Sequence, residues 1–204
     1  MSSPTIRVAV AYHSGYGHTT MQAEAVARGA ATVADTSVDL LDVSDVNDAV
    51  WETLERADAI IFGAPTYMGG PSGPFKTFAD ASSGAWLADR WLGKVAAGFT
   101  TSGHMGGDKL NTLIYFSILA AQHGMIWVSL GLKGGWDTSA GSPDDLNRLG
   151  GWLGAMAQAN KDQAADLAPP QSDLDTAAAL GSRVASVTHH LTRGRRETAA
   201  SPAA

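Results

Sequence analysis

The chain contains no cysteine. Disulfides, thiolate metal sites and cysteine nucleophiles are therefore excluded by composition alone. It has no basic stretch before its C-terminal tail, and its formal net charge is −6. That balance argues against nucleic acid as a partner. No apolar run approaches the roughly 18 residues that a membrane-spanning helix needs. The N-terminus, Met1-Ser2-Ser3-Pro4, runs straight into a strand-like segment without the charged and apolar regions of a signal peptide. The expectation is a cytoplasmic protein with no membrane partner. No set of histidines and carboxylates has metal-ligand spacing, so no metal is expected.

What is present reads as a globular chain. Its 204 residues fit one large domain, expected over residues 1–192. The 23 glycines exceed average usage and point to many tight turns. Ile6-Arg7-Val8-Ala9-Val10-Ala11-Tyr12 is a β-branched strand. After a glycine-rich turn, residues 19–34 read as a helix with Met21, Ala25, Val26, Gly29 and Val33 near one face and Thr19 or Thr20 as cap. Residues 37–43 alternate as a strand, and residues 48–56 form a short helix. Ala59-Ile60-Ile61-Phe62-Gly63-Ala64 is a continuous apolar run, as in a strand buried on both faces of a parallel sheet.

Residues 73–83 read as a helix with Pro74 in its first turn. Residues 94–101 form a fourth strand. Asp108 is a candidate cap for a helix to His123, with Leu110, Leu113, Ile114, Ser117, Ile118 and Ala121 on one face. Gly124 ends that helix, and residues 125–130 make the fifth strand. Residues 131–171 are rich in glycine and proline, with helical turns expected between 146 and 160. A last helix starts near Ser172-Asp173, and residues 193–204 read as a disordered tail. Strands alternating with helices imply an α/β protein: a doubly wound, five-stranded parallel sheet with helices on both faces. Ligands of such sheets bind outside the carboxyl ends of the strands.

Three loops fall at those ends. Ser14-Gly15-Tyr16-Gly17-His18-Thr19 combines hydroxyls, glycines and a helix start, which suits a phosphate. It lacks the Gly-Lys-Ser/Thr ending of a triphosphate-binding loop. Pro65-Thr66-Tyr67-Met68-Gly69-Gly70 allows close backbone approach to a flat heteroaromatic ring. Thr101-Ser102-Gly103-His104-Met105-Gly106-Gly107 again sets hydroxyls and glycines ahead of a helix. Each has a plain structural alternative as a turn; together they point to a flavin mononucleotide.

In these segments the sequence resembles the flavodoxin-like NAD(P)H:quinone oxidoreductases known as WrbA and, more broadly, the NADPH-dependent FMN reductases. The matching pieces are Tyr12 to Thr19, Ile60 to Thr66, Lys76-Thr77-Phe78, the Thr101 to Gly107 loop and Ala121-Gln122-His123-Gly124-Met125. The resemblance implies a flavodoxin-like sheet of order 2-1-3-4-5, bound FMN and NAD(P)H as co-substrate. It implies a quinone or similar aromatic acceptor, and a homodimer or homotetramer. In it, Ser14 through Thr19 bind the FMN phosphate. Pro65, Thr66, Tyr67, Met68 and Gly69 run along the isoalloxazine. Thr101, Ser102, Gly103, His104, Met105 and Gly106 meet the ring edge and ribityl chain. Tyr16 and Trp86 stand at the nucleotide and substrate sites. His123 approaches a neighbouring subunit's flavin as the candidate for polarising a quinone oxygen. Equally, His123 could serve the helix dipole, and Trp86 and Trp91 could be core aromatics.

The chain departs from the family where Tyr67 and Gly70 stand in place of its usual arginine and asparagine, with Pro71 following, in the short segment before Trp51, and over residues 131–171. Three other functions stay open on the sequence: a single-electron carrier of flavodoxin type, an FMN-binding regulatory protein without turnover, and a dedicated reductase of a specialised aromatic metabolite.

Overall fold

The computed structural model describes residues 5–200. The N-terminal residues discussed above and residues 201–204 lie outside that range. In chain order the elements are β1 (Ile6–Tyr12), α1 (His18–Ala31), β2 (Thr36–Asp42), α2 (Asp48–Arg56), β3 (Ala59–Tyr67), β4 (Gly70–Pro71), α3 (Gly73–Ala81), α4 (Ser83–Leu87), β5 (Val95–Ser102), α5 (Lys109–Gln122), β6 (Ile126–Trp127), β7 (Ala155–Gln158) and α6 (Gln171–Ala200). The sheet order is β2-β1-β3-β5-β6, and β1 pairs in parallel with both β2 and β3. This is the expected doubly wound order.

Alternation explains why the central strands are apolar throughout. Val8, Val10, Ile61, Ala97 and Phe99 point to one face, where Ala23, Val26 and Ala30 of α1 and Ala177, Leu180 and Val184 of α6 cover them. Ala9, Ala11, Ile60, Phe62 and Ala96 point to the other, covered by Leu54, Phe75, Phe78, Trp91 and Phe116. Phe62 is the hub of that second layer, with ring centroids 6.1 Å from Phe75 and 6.2 Å from both Trp91 and Phe116. On the first face α1 and α6 lie in backbone contact. A β-carbon on Gly29 would sit 1.9 Å from Ala178 O, and one on Gly181 would sit 2.0 Å from Val26 O. Only glycine permits that approach.

The structure corrects several expectations. The fifth sheet position is not one strand over 125–130. Ile126 and Trp127 pair with the start of β5, the chain leaves the sheet, and Ala155–Gln158 returns to pair with the second half of β5. The helical turns expected between 146 and 160 are therefore a strand, with Ala155 and Ala157 buried beside β5. α6 continues to Ala200, so residues 193–200 extend a helix instead of forming a loose tail. Neither Thr19 nor Thr20 caps α1; its N-cap is Gly17, at φ 87°. Asp108 precedes α5 in a left-handed conformation and makes no capping bond.

The face assigned to α5 holds at Leu113 but not at Leu110, Ile114 or Ile118. Leu113, Phe116, Leu119 and Ala120 pack on the sheet. Leu110, Ile114 and Ile118 are 52%, 41% and 61% exposed. The helix carries two apolar stripes, and periodicity alone does not say which one meets the core. The aromatic Phe116, which buries most area, decides it.

Candidate functional site

The first loop is built at the end of β1. Ser14 Oγ accepts from Gly17 N at 3.1 Å and from Thr20 N at 3.3 Å, which satisfies part of the start of α1. The backbone N–H groups of Gly15, Tyr16, His18 and Thr19 meet no acceptor among the described residues. Free amides at a helix start form an anion site. Just upstream, buried His13 shares a 2.7 Å hydrogen bond with the hydroxyl of Ser72, tying this loop to the entry of α3. Burial pushes the His13 pKa down, an effect Asp42 partly offsets.

The second loop is a small hairpin. β4 pairs antiparallel with the end of β3, Thr66 opposite Pro71 and Tyr67 opposite Gly70. Met68 and Gly69 make its turn with φ of 49° and 83°, the paired left-handed geometry of a tight hairpin. Thr66 Oγ1 lies 2.8 Å from both Thr100 Oγ1 and Thr112 Oγ1, so hydroxyls on three elements fix the hairpin base. Asn111 Nδ2 donates to Gly69 O at its tip. The third loop leaves β5, and Thr101 Oγ1 donates to Gln22 Oε1 of α1 at 2.7 Å.

These loops enclose one cleft of about 810 Å³. Its walls include Tyr16, His18 and Thr19 of the first loop, residues 65–69 of the second, and residues 101–104 of the third. Ser14, Gly15 and Gly17 shape the first loop without lining the cleft; Met105 and Gly106 do the same for the third. Tyr16 and Tyr67 meet edge to face at its mouth, with centroids 6.4 Å apart. Burial raises the Tyr67 pKa, and Tyr16 adds to the rise, so the Tyr67 phenol stays a neutral donor.

The cleft also holds residues to which the sequence reading gave no binding role. Gly107 and Asp108 close the third loop, while Ala159 and Lys161 form a wall just after β7. His18 Nε2 lies 2.8 Å from Gln163 O, which joins that wall to the start of α1. No sequence motif marks Lys161. Its role follows from β7, and β7 lies inside the glycine-rich stretch where periodicity fails.

Two expected residues do not line this chain's own cleft. His123 caps the C-terminal end of α5, while the cleft lies at the helix's N-terminal end. Fourteen residues of helix separate them, about 21 Å at 1.5 Å per residue. His123 is buried; its Nε2 lies 2.9 Å from Ser82 Oγ and its ring stacks on Trp91 at 4.3 Å. Its Nδ1 has no partner among the described residues, and burial lowers its pKa. Such a ring is a packed core group. Trp86 sits on α4, half-exposed, and does not line the cleft. Trp91 is in the core.

The donor set fits FMN. Free amides at a helix start suit its phosphate, and the glycine hairpin lets a flat ring lie close to backbone. The volume is within the range of small-molecule sites. Sheet order and three converging loops define a flavodoxin-like mononucleotide-binding protein. Residues 13–131 match the family described as NADPH-dependent FMN reductase, and the chain belongs to that family. It is an FMN-dependent oxidoreductase with NAD(P)H as electron donor.

Among its relatives, the chain is 44% identical to flavodoxin FldP of Pseudomonas aeruginosa, over 91% of this chain and 98% of that one. It is 32% identical to an NAD(P)H dehydrogenase (quinone) of Geotalea uraniireducens, over 92% of this chain and all of that one (100%). Among solved structures it resembles a WrbA-like flavodoxin from Agrobacterium tumefaciens, with a TM-score of 0.69 and 43% identity, covering 91% of this chain and 99% of that one.

Proposed function

We propose that the chain passes electrons from NAD(P)H through FMN to a quinone or a similar flat aromatic acceptor. The observation that carries this reading is the mouth of the cleft. Tyr16 is 81% exposed there, Met68 is fully exposed, and the Tyr67 ring stands edge-on to Tyr16. Exposed aromatic and thioether groups beside a ring site favour a planar, apolar guest. The quinone dehydrogenase names among the relatives support the same acceptor class.

The two-electron chemistry is supplied by the bound flavin, as in other cofactor enzymes. The chain's own residues bind and orient. The first loop takes the phosphate on its free amides. The Thr66 hairpin and the third loop set the ring between them. Tyr16, Tyr67 and Met68, at the mouth of the cleft, would hold nicotinamide and acceptor in turn. Lys161 faces the same cleft and suits an anionic group on either guest. A cytoplasmic location follows from the use of NAD(P)H. Self-association through the exposed Leu110, Ile114 and Ile118 stripe of α5 accompanies this reading, because a row of this kind is rarely left in water.

The test is a steady-state assay of the FMN-loaded protein with NADH or NADPH and a panel of quinones. Acceptor-dependent NAD(P)H oxidation is the expected result. A second reading, a single-electron carrier, is favoured by the flavodoxin name of the 44% identical relative. Failure of NAD(P)H to reduce the bound flavin, with two well-separated one-electron steps in a redox titration, selects that reading instead.

A further inference from the structure

Lys109 opens α5, and its side chain is wholly buried, a rare state for lysine. Its ammonium donates to Ser102 Oγ at 2.7 Å, to His104 O at 2.7 Å and to Met105 O at 2.8 Å. No carboxylate pairs with it among the described residues. Asp173 exerts some pull, but both its oxygens are bound by Arg148 at 2.8 Å. Burial pushes the Lys109 pKa down to about 8, which leaves it charged at neutral pH.

The loop's other carbonyls are held as well. Ala159 N donates to Ser102 O at 3.0 Å, Gln158 Nε2 to Gly103 O at 3.2 Å, and Lys109 N to Gly106 O at 3.3 Å. Every carbonyl from residue 102 to 106 is thereby engaged. The N–H groups of residues 103–107 have no acceptor among the described residues, and residues 101–104 and 107 line the cleft. With these carbonyls engaged by protein donors, the free amides beside the cleft stay available to a guest within it. Three convergent acceptors suit a compact ammonium better than a planar guanidinium.

We propose that Lys109 is the positioning residue of the flavin site. It gathers the third loop's carbonyls, aims the amides of residues 103, 104 and 107 at the polar edge of the ring, and makes the protein bind reduced FMN more tightly than it would without this charge. Reduction adds electron density to the ring. Fixed amides and a buried cation behind them stabilise that density more than they stabilise the oxidised ring. The proposal rests on FMN occupying this cleft and does not depend on the acceptor.

The experiment compares wild type, K109M and K109R. Dissociation constants are measured for oxidised FMN and for FMN reduced anaerobically, and the midpoint potential of each complex is determined. K109M is expected to lose about tenfold more affinity for reduced than for oxidised FMN. For a two-electron couple that is a fall of about 30 mV. K109R keeps the charge and is expected to shift the affinity ratio by less than about half as much on the logarithmic scale. Equal losses for both redox forms in K109M, or none, overturn the proposal.

Should K109M not fold, hydrogen exchange of the wild-type segment 102–108 decides. Greater protection with reduced than with oxidised FMN supports the proposal, and equal or absent protection refutes it. A wild type that takes up no FMN sinks the cleft assignment and this proposal together. Normal FMN binding without quinone turnover sinks only the acceptor reading.

Discussion

The Tyr67 hydroxyl stands 2.4 Å from the point that a β-carbon on Gly15 would occupy. The first and second loops therefore meet with no space for a side chain between them. Gly15→Ala forces the half-exposed Tyr67 aside, and the hairpin carrying it loses its register with the phosphate loop. FMN affinity is expected to fall about tenfold, about 1.4 kcal/mol. The melting temperature should hardly change, since the displaced group can move into solvent. Fluorescence titration and thermal unfolding measure the two effects separately.

Removing His123 separates structure from chemistry. His123→Ala deletes the stack on Trp91 and the Ser82 partner. A loss of about 1–3 kcal/mol of unfolding free energy is expected. The turnover barrier should stay within about 0.6 kcal/mol, roughly threefold in rate, because the ring is remote from the cleft. A much larger loss of turnover in a folded variant would support the expected role of this residue at a neighbouring subunit's flavin.

Acid should weaken the fold through two histidines. Burial lowers the pKa of His13 and His123 below their ordinary value. The unfolded chain then takes up protons at a higher pH than the folded one. Their stabilising effect is full above about pH 6.5 and is lost as pH falls below it toward the folded values. At the alkaline end the depressed Lys109 acts in the same direction. Its folded pKa of about 8 lies below the ordinary lysine value of 10.5, so between those limits stability gains with rising pH. Urea unfolding across the acid range checks the first limb: the midpoint should decline with acidity and decline less in His123→Phe.

Arg148 and Asp173 form a bidentate ion pair, with only 5% and 2% of their side chains exposed. Asp173 Oδ2 also accepts from Gln158 N at 2.8 Å. Asp173→Ala strands the guanidinium and frees β7 at once. A destabilisation of about 3–5 kcal/mol is expected, the usual range for an orphaned buried charge. Because Gln158 also holds Gly103, FMN binding should weaken in parallel. Chemical denaturation and FMN titration of the same variant provide both readings.

Local signals in the sequence carried most of the architecture. Residues 6–12 and 48–56 match their elements end to end, since each is bounded by turn residues and has one clear period. All three loops were visible because glycines and hydroxyls directly follow apolar strands. Lys109 left no such signal: a lysine at a helix start reads as a solvated charge, and only the fold encloses it. α5 misled because both its stripes are apolar. The wall from Ala159 to Lys161 was invisible because β7 is only four residues long and pairs with a strand more than fifty positions earlier. Non-local pairing of that kind leaves little periodicity to find.

The division of the fifth sheet position between β6 and β7 gives the molecule a modular seam. Residues 128–154 leave the sheet and come back to it without interrupting any central strand. That excursion can be lengthened, shortened or exchanged between homologues while β1, β3 and β5 keep their register. The returning strand delivers a side of the cleft as it re-enters. Recombination at this seam is thus a route to new guest preferences on an unchanged flavin platform.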